Sequence, residues 1–487
     1  MPFTITAPKK VFGTIWTTQF FSSLGTGLTD FALGVFVYQR TGSTSQFALV
    51  LVCAMVPAIL LSPFSGVLGD RADRRLMMLG SNAASGAVVL VLLLLRHGGH
   101  LDTWHIYAGA AVLAICGAFR DPAYYASVSQ MVPKEQLGRA SGAVQTAENI
   151  GIVAPPVVAG VLLSTVGLSG ILLLDLITYG LGVLALMATV FPPVERGDAP
   201  AGKPSLFSDM AEGWRYVLAY RGLLYLFFFG AFISFTVGLT QIVVTPLVLA
   251  FASTSVLGAT FSAGGVGIFL GGLVMTMWGG PRNRVAGILL FGLGQALSLV
   301  VAGLRPNAVL IGIGLFGCLF GIQFVRGGTA TVIRTYVPDS MQARVFSLNR
   351  FVAWSTLPLA YLLAGPLVDA FDPLVKPSGS LADSVGQVIG TGKGRGGGLL
   401  LMVLGTAFLL VVLAAYLTPR FRNVETEMAA VAAGREKAAE EATEETAEEA
   451  TEGAAPGDGA LPEEEGAEPE LAGSRRPDPA AGSEAAR

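Results

Sequence analysis

Twelve long apolar stretches, separated by short polar turns, fill the first 420 residues of this chain. The hydrocarbon core of a bilayer is about 30 Å thick, and a helix of about 20 apolar residues crosses it. A helix also pairs its own backbone polar groups, as lipid requires. The pattern therefore predicts an all-α membrane protein with twelve transmembrane helices, called spans 1 to 12, and both termini on one side. The spans are expected at 12–38, 46–69, 76–96, 104–126, 141–165, 170–192, 222–250, 255–278, 285–304, 307–332, 347–370 and 397–418.

The composition agrees with a membrane protein. Hydrophobic residues make up 52% of the 487 positions and charged residues only 13%, which is more apolar than a soluble protein of this size needs to be. Span 1 is too long for the apolar region of a cleavable signal peptide. Cys53, Cys116 and Cys318 lie within apolar stretches, so they are expected as small buried hydrophobes rather than as disulfides or metal ligands.

Charge is distributed unevenly along the chain. In the short turns, fifteen basic residues lie on the side of the termini and six on the other, which predicts a plasma-membrane protein with both termini in the cytoplasm. From Asn423 onward the chain has 18 acidic and 5 basic residues. A segment rich in alanine, glutamate, proline and glycine buries too little apolar surface to fold. Residues 421–487 are therefore expected to form a disordered cytoplasmic tail.

The membrane region repeats itself. Five residues of span 1 reappear in span 7 at a constant offset of 211: Phe21, Ser23, Gly27, Leu28 and Thr29 match Phe232, Ser234, Gly238, Leu239 and Thr240. This register predicts an N-terminal half at 1–192 and a C-terminal half at 222–420, joined by a cytoplasmic linker at 193–221. Parallel repeats place a substrate site between the halves, near the bilayer midplane.

Charged side chains inside the spans are the main candidates for function. Each costs on the order of 2.5–3.5 kcal/mol to insert, and it normally faces a cavity or a partner. Asp30 in span 1 is predicted to bind a proton or to recognise a cation; the alternative is a structural hydrogen bond. In the internal repeat, Gln241 of span 7 occupies the position that corresponds to Asp30. Asp175, near the outer end of span 6, is expected to lie close to water.

Two arginines extend this set. Arg120 in span 4 is followed by Asp121, and Glu148 in span 5 is expected at a similar depth. Arg120 could pair with Glu148 or with Asp121, and the pair could transfer protons or only fix helix packing. Arg326 in span 10 has no acidic neighbour in its own half. It is expected to meet the first half across the cavity or to bind an anionic substrate group.

The turn between spans 2 and 3 carries a known signature. It reads Gly-Val-Leu-Gly-Asp-Arg-Ala-Asp-Arg-Arg from Gly66 to Arg75 and resembles the G-x-L-x-D-R-x-G-R-R motif of the major facilitator superfamily, with Asp73 in place of the second glycine. The resemblance implies two six-helix halves. It also implies a conformational latch that meets the start of span 11 near Arg344–Asn349. The latch residues would be Gly66, Asp70, Arg71, Arg74 and Arg75.

A second motif lies in span 5. Gly151, Pro155, Pro156 and Gly160 resemble the G-x-x-x-G-P-x-x-G-G pattern of superfamily exporters that exchange substrate for protons; Pro155 and Ala159 depart from that pattern. Paired prolines interrupt the backbone hydrogen bonds and bend a helix, and small residues let helices approach closely. An ordinary packing face is the alternative interpretation.

The first half resembles the branch of macrolide-efflux and enterobactin-exporter proteins over about residues 11–420. The residues that carry this resemblance are Asp30 in Gly-Leu-Thr-Asp, Tyr38, Thr41-Gly42-Ser43, Pro57, Pro63, the Gly66–Arg75 turn, Val132-Pro133 with Leu137, and Asp175. It implies a transporter that exports a small amphipathic compound, such as a drug, a siderophore or a peptide natural product, in exchange for protons. The protein is expected to function as a monomer, with a small-molecule substrate, protons and the lipid bilayer as its partners.

Other functions remain open at this point. A proton-coupled importer or a lysolipid translocator would use the same fold, with Arg326 as the phosphate-binding group of the latter. A sensor that signals through its acidic tail is a further alternative. An enzyme, a cofactor and a nucleic-acid partner are not expected, because the chain has no nucleotide-binding glycine loop and no nucleophile elbow. His97, His100 and His105 share one outer loop with Asp102 but do not form a metal-ligand pattern.

Overall fold

The computed structural model describes residues 8–71, 73–133, 136–189, 191, 206–392, 394–431 and 433–434. The chain divides into two compact units, Met1–Ala432 and Ala433–Arg487, and the features reported below belong to the first. Its α-helices include α1 Pro8–Thr41, α2 Thr44–Arg71, α3 Arg74–His97, α4 Thr103–Met131, α5 Leu137–Thr165, α6 Gly167–Ala188, α7 Leu206–Ala219, α8 Arg221–Leu249, α9 Thr254–Trp278, α10 Arg284–Leu304, α11 Ala308–Tyr336, α12 Asp339–Phe371, α13 Val385–Ile389, α14 Arg395–Leu417 and α15 Pro419–Arg422.

The predicted all-α membrane fold is confirmed. Ten helices of the described residues are long and apolar enough to cross a membrane, and α5 makes an eleventh when its two bent parts count as one span. Helix α4, at 29 residues, spans about 43 Å at 1.5 Å per residue. Its apolar surface is interrupted by Arg120 and Asp121. The prediction of twelve spans is consistent with this count.

The two halves are built from the same helix neighbours. In the first half α2 packs on α4, α3 packs on α4 and α6, and α1 packs on α5 and α6. In the second half α9 packs on α11, α10 packs on α11 and α14, and α8 packs on α12 and α14. Between the halves, α5 meets α9 and α12 meets α2. The internal sequence repeat is therefore a structural repeat, and the contacts between the halves are themselves paired.

Among the described residues, polar contacts join the halves at one side of the membrane region. We call the side where α1 begins proximal and the opposite side distal. Ser45 Oγ at the distal start of α2 donates to Asp369 Oδ2 near the distal end of α12 at 3.1 Å. The hydroxyls of Ser164 on α5 and Ser255 on α9 are 3.0 Å apart. These polar contacts hold α2 to α12 and α5 to α9 at their distal ends.

Two connecting segments are more ordered than composition suggests. The linker expected at 193–221 contains helix α7, although residues 192–205 lie outside the described ones. The distal loop expected at 372–396 forms a 3-10 turn at Asp372–Val375 and then α13. Asp372 Oδ1 accepts a hydrogen bond of 3.0 Å from the Gly396 amide, which closes this loop on the start of α14.

The start of the expected tail is a correction. Residues 419–422 form α15 and residues 424–431 are helical, whereas disorder was predicted from 421. Phe421, Val424 and Met428 are buried, and Glu425 Oε1 accepts a 2.8 Å hydrogen bond from the Arg284 amide at the start of α10. The spacing of Val424 and Met428 places both on one face of a helix. The overall composition of the acidic segment does not reveal this short apolar face, which is why disorder was predicted there.

Candidate functional site

A buried polar contact joins α1 to α6 inside the first half. Thr29 Oγ1 donates a hydrogen bond of 2.7 Å to Asp175 Oδ2, and Thr178 Oγ1 donates to the Asp175 backbone carbonyl at 2.8 Å. Asp175 is fully buried, so the expectation that it lies close to water is wrong. The reason is Gly25 on α1: a Cβ there would lie 2.5 Å from Asp175 Oδ1. The missing side chain lets α1 cover the carboxylate.

The contact continues towards the proximal side through Tyr179. Thr26 Oγ1 and the Tyr179 hydroxyl are 2.7 Å apart, and Tyr179 is almost completely buried. Ser85 on α3 and Arg120 on α4 also interact with the Tyr179 hydroxyl. Four helices of the first half therefore converge on one tyrosine.

Asp30 lies next to this cluster. Its Oδ1 atom is buried and has no hydrogen-bond partner among the described residues, and its charge interacts with those of Asp175 and Arg120. Removing an unpaired charge from water is costly. A proton or a cationic ligand on Asp30 would remove that cost.

Arg120 is paired with its neighbour on α4. Its Nε atom donates to Asp121 Oδ1 at 3.0 Å; the arginine side chain is 9% exposed and the aspartate side chain 48%. Glu148 Oε2 on α5 instead accepts a 2.9 Å hydrogen bond from Gln145 Nε2. Of the two partners considered for Arg120, the structure shows Asp121. Arg120 thus links a half-exposed acid to the buried Tyr179.

The acids and bases of this cluster do not balance. Asp30, Asp121 and Asp175 surround the single base Arg120. Adding one or two protons to the carboxyl groups brings the cluster towards neutrality, which a low-dielectric interior favours. The cluster is therefore chemically suited to take up and release protons.

A cavity of about 170 Å³ lies between the halves. Val153 and Pro156 of α5 form its wall on the first half. Helices α8, α9 and α11 form the wall on the second half. Its lining on that side is Val237, Thr240, Gln241, Phe261, Gly265, Ile268, Leu315, Cys318, Leu319, Ile322, Gln323 and Arg326. Most of this surface is apolar, and among the described residues that line it Arg326 is the only charged one. Gln241 and Arg326, singled out from the sequence, thus meet in one cavity.

Tyr361 orients one side of this cavity. Its hydroxyl donates a hydrogen bond of 2.9 Å to Gln241 Oε1. Because the carbonyl oxygen of this amide is occupied, its amino group remains as a donor. The sequence pattern gives no signal for Tyr361, since a tyrosine in an apolar span is usually a packing residue.

The helix-five motif positions α5 against two other helices. A Cβ on Gly27 of α1 would lie 2.5 Å from Pro155 Cγ, so α1 and α5 are in close contact there. At the distal end, a Cβ on Gly160 would lie 2.5 Å from the Gly258 Cα of α9. The two parts of α5, Arg139–Glu148 and Val153–Thr165, are bent by 42°. The bend expected from the paired prolines is present.

The turn before α3 caps helix ends of its own half. Arg75 donates to the Leu186 carbonyl at 2.8 Å and Arg74 to the Ala126 carbonyl at 2.9 Å, near the proximal ends of α6 and α4. Cations at helix C-termini are stabilising. Asp73 accepts hydrogen bonds from the amides of Arg75 and Leu76 and is the N-cap of α3. The aspartate that stands in place of the motif's second glycine therefore caps the start of this helix.

The expected latch falls largely outside the described side chains. Those of Gly66, Asp70 and Arg71 are not described. On the other side of the expected contact, Arg344 Nη1 of α12 forms an ion pair of 3.0 Å with Glu212 Oε2 of α7. The connecting helix α7 is therefore attached to the proximal part of α12.

Comparison with known proteins agrees with this architecture. The family model of the Major Facilitator Superfamily matches residues 15–361. Macrolide efflux protein A of Streptococcus pyogenes is 25% identical over 367 residues, which are 74% of this chain and 90% of that protein. The multidrug efflux pump Tap of Mycobacterium tuberculosis is 27% identical over 372 residues, 72% of this chain and 85% of that protein.

Solved structures share the fold at lower identity. A bacterial homologue of the human lysosomal transporter Spinster, in an inward-facing and unoccupied conformation, has a TM-score of 0.61 at 16% identity and covers 86% of this chain and 97% of its own. The nucleoside transporter NupG has a TM-score of 0.65 at 10% identity, with coverage of 83% and 99%. The family match spans well over half of the chain, and the fold, the repeated halves and the cavity between them agree with it: this protein belongs to the Major Facilitator Superfamily of membrane transporters.

Proposed function

We propose that this protein exports a small amphipathic compound across the plasma membrane in exchange for protons. The observation that carries the proposal is the buried cluster of Asp30, Asp175 and Arg120 in one half, combined with a mostly apolar cavity between the halves. The efflux pumps among its relatives support the direction. The roles of Asp30, Arg120 and Asp121 in proton coupling belong to this proposal, as does the role of the cavity in substrate binding.

The orientation is part of the same proposal. The excess of lysine and arginine in the proximal turns favours a cytoplasmic proximal side. A compound would then enter from the cytoplasm while the distal contacts of α2 with α12 and of α5 with α9 are closed. It would leave after those contacts open and the proximal side closes.

Proton exchange would supply the energy for this cycle. When the distal side is open, the acidic cluster of the first half binds a proton from outside. When the proximal side is open, the proton leaves to the cytoplasm and the cavity is ready for the next substrate. The two events alternate because one conformational change controls both.

Inside-out membrane vesicles with an acidic lumen test the proposal. They are supplied with a mixture of macrolides and other amphipathic antibiotics, and the accumulated compounds are identified by mass spectrometry. We expect compounds that accumulate only with the protein present and that leave after a protonophore is added. Vesicles that contain the Asp30→Asn variant are the matched control.

The opposite result has a defined meaning. Uptake only in right-side-out vesicles, with none in inside-out vesicles, would show a proton-coupled importer of the same fold. Accumulation that is insensitive to the protonophore would reject proton exchange and leave the export direction intact.

A further inference from the structure

Among the residues that the structure describes, Arg326 has no partner for its charge. Within the described part of the chain it forms no ion pair and no hydrogen bond. It lines the cavity between the halves, whose other residues are apolar or uncharged. Its side chain is exposed, and no acidic residue among the described residues of the cavity lining neutralises it, so its charge is available to an anionic ligand.

The polar groups beside Arg326 are also hydrogen-bond donors. Tyr361 occupies the carbonyl oxygen of Gln241 and leaves its amino group free. Gln323 lies one helical turn before Arg326 on α11 and lines the same cavity. Arg326 adds five N–H groups in a planar fork that matches two oxygens of an anion. The polar end of this cavity therefore favours anionic oxygen groups.

We infer that Arg326, Gln323 and Gln241 bind a carboxylate, sulfonate or phosphate group of the transported compound. The inference rests on the proposed role of this cavity in transport and specifies the substrate as an amphipathic anion. Phe261, Leu315 and Leu319 provide the apolar wall for the rest of the molecule. The volume of about 170 Å³ accommodates the charged group and one ring system; a larger compound would extend beyond it.

Two fluorescent probes of nearly equal shape test this inference: 1-naphthylacetate, which is an anion, and 1-naphthylacetamide, which is neutral. Binding to the purified protein in nanodiscs is measured with both probes. We expect the anion to bind at least about tenfold more tightly, since a hydrogen bond to a charged group contributes about 1.5–3 kcal/mol. Arg326→Gln should remove this preference, because it should weaken binding of the anion more than binding of the amide.

The controls make the result decisive. Arg305→Gln changes an arginine at the distal end of α10, outside the cavity lining, and should keep the preference. Equal binding of both probes, or a preference that survives Arg326→Gln, would overturn the inference. Neither result would contradict export of a neutral compound in vesicles, so the two proposals fail separately. Displacement of the bound anion by lysophosphatidylglycerol but not by octanoate would identify a lipid headgroup as the source of the anion.

A different observation concerns the interior of the first half. Several buried polar atoms along the proximal part of α1 and on α3 have no hydrogen-bond partner among the described residues: Trp16 Nε1, Gln19 Nε2, Ser22 Oγ, Asn82 Nδ2 and Asn82 Oδ1. Gln19, Ser22 and Asn82 are almost completely buried. An unpaired buried polar group costs about 1–3 kcal/mol, and proteins usually satisfy such groups with ordered water.

These atoms continue the line of the Tyr179 cluster. The contacts Thr29–Asp175 and Thr26–Tyr179 run antiparallel along α1 and α6, so the next turn of α1 places Ser22 opposite Gly182. Asn82 Nδ2 lies 3.1 Å from the position that a Cβ on Gly182 would occupy. Asn82 thus lies beside a residue that has no side chain, at the level of α6 that the register assigns to Ser22.

We propose that a file of ordered water molecules runs from the proximal side past Gln19, Ser22 and Asn82 to Tyr179 and the carboxyls of Asp175 and Asp30. Beyond Asp30 the buried residues of α1 are apolar: Phe31, Ala32, Leu33, Val35 and Val37. Along α1 the file therefore ends at the carboxyls and leads towards the proximal side. It rests on the proposed proton coupling and gives the proton a way out that does not pass through the cavity between the halves.

Hydroxyl-radical footprinting by synchrotron X-rays detects such water, because radicals formed from bound water modify the side chains beside it. We expect modification of Tyr179 although it is buried, and none of Phe408, which is buried among apolar residues. Ser22→Ala and Asn82→Leu should reduce the modification of Tyr179. Gln295→Leu is the matched control, since Gln295 is a fully buried residue of the second half with an unpaired Oε1 atom.

Transport measurements test whether the water serves as a proton path, separately from whether it is present. The same two variants should slow proton release, measured with a pH indicator, and leave substrate binding unchanged. An unmodified Tyr179 in the wild-type protein would refute the water file. Modified Tyr179 together with normal proton release in both variants would refute its role as a proton path, while the exporter proposal would stand.

Discussion

Gly160 of α5 and Gly258 of α9 lie so close together that a Cβ on Gly160 would be 2.5 Å from the Gly258 Cα. The contact is backbone against backbone, so no side chain can move aside to relieve it. Because α5 belongs to the first half and α9 to the second, this pair fixes how closely the halves approach on the distal side.

Gly160→Ala should separate the distal ends of the halves. The added methyl group meets backbone atoms, and α5 and α9 must move apart to accommodate it. We expect transport to fall at least about tenfold, because the distal-closed state is destabilised by more than about 1.4 kcal/mol. Gly180→Ala is the control, since a Cβ there meets nothing within 4 Å. Equal transport by the two variants would contradict the gate.

A disulfide between positions 164 and 255 should lock the distal side. The hydroxyls of Ser164 and Ser255 are 3.0 Å apart, a separation from which two thiols can react after small adjustments. The Ser164→Cys/Ser255→Cys variant should lose transport on oxidation and regain it on reduction. Variants with only one of the two substitutions should be insensitive to oxidation and to reduction. Full transport after complete cross-linking would show that the distal ends need not separate.

Asp30→Asn should uncouple transport from protons. The substitution keeps the size of the side chain and removes its titratable charge, so the protein should fold normally. Wild-type transport should depend on pH between about 6 and 8, and the variant should not, provided that Asp30 is the proton carrier. The test is the rate in vesicles at three pH values, with thermal stability as the folding control. An unaltered pH dependence in Asp30→Asn would reject this role.

A double-mutant cycle separates the two possible partners of Arg120. Residues in direct contact show non-additive effects, whereas separated residues add. Because the ion pair joins Arg120 and Asp121 at 3.0 Å, Arg120→Gln and Asp121→Asn together should cost less stability than the sum of the two. The combination of Arg120→Gln with Glu148→Gln should be close to additive. The reverse result would reinstate Glu148 as the partner.

Two truncations of the C-terminal segment, after Gly434 and after Arg422, should have different effects. A chain that ends after Gly434 keeps the buried Val424 and Met428 and the bond from Glu425 to Arg284, so it should transport normally. A chain that ends after Arg422 loses these contacts and should melt several degrees lower. Loss of transport by the chain that ends after Gly434, without a change in stability, would contradict this prediction and show that transport needs the acidic tail.

The apolar pattern was sufficient to predict an all-helical membrane protein, because a bilayer imposes helix length directly. The charged residues within spans could be singled out from the sequence, since each is costly in lipid; their roles stay predictions. The environment of Asp175 could not be predicted, because its position along the span does not reveal which face of the helix is covered. Its burial depends on Gly25 of a distant helix. Tyr361 and Tyr179 were missed for the same reason: their partners lie far away in sequence.

Helix α5 has one further consequence. Near the middle of the membrane Pro155 presses against Gly27, one turn before Asp30, and at the distal end Gly160 presses against the other half. Both contacts lie on one segment of α5, Val153–Thr165. A movement of this segment that opens the distal contact would also shift the helix that carries Asp30. In this arrangement, protonation of Asp30 and opening of the distal contact would be coupled through α5 itself. No separate signal between the two events would be needed.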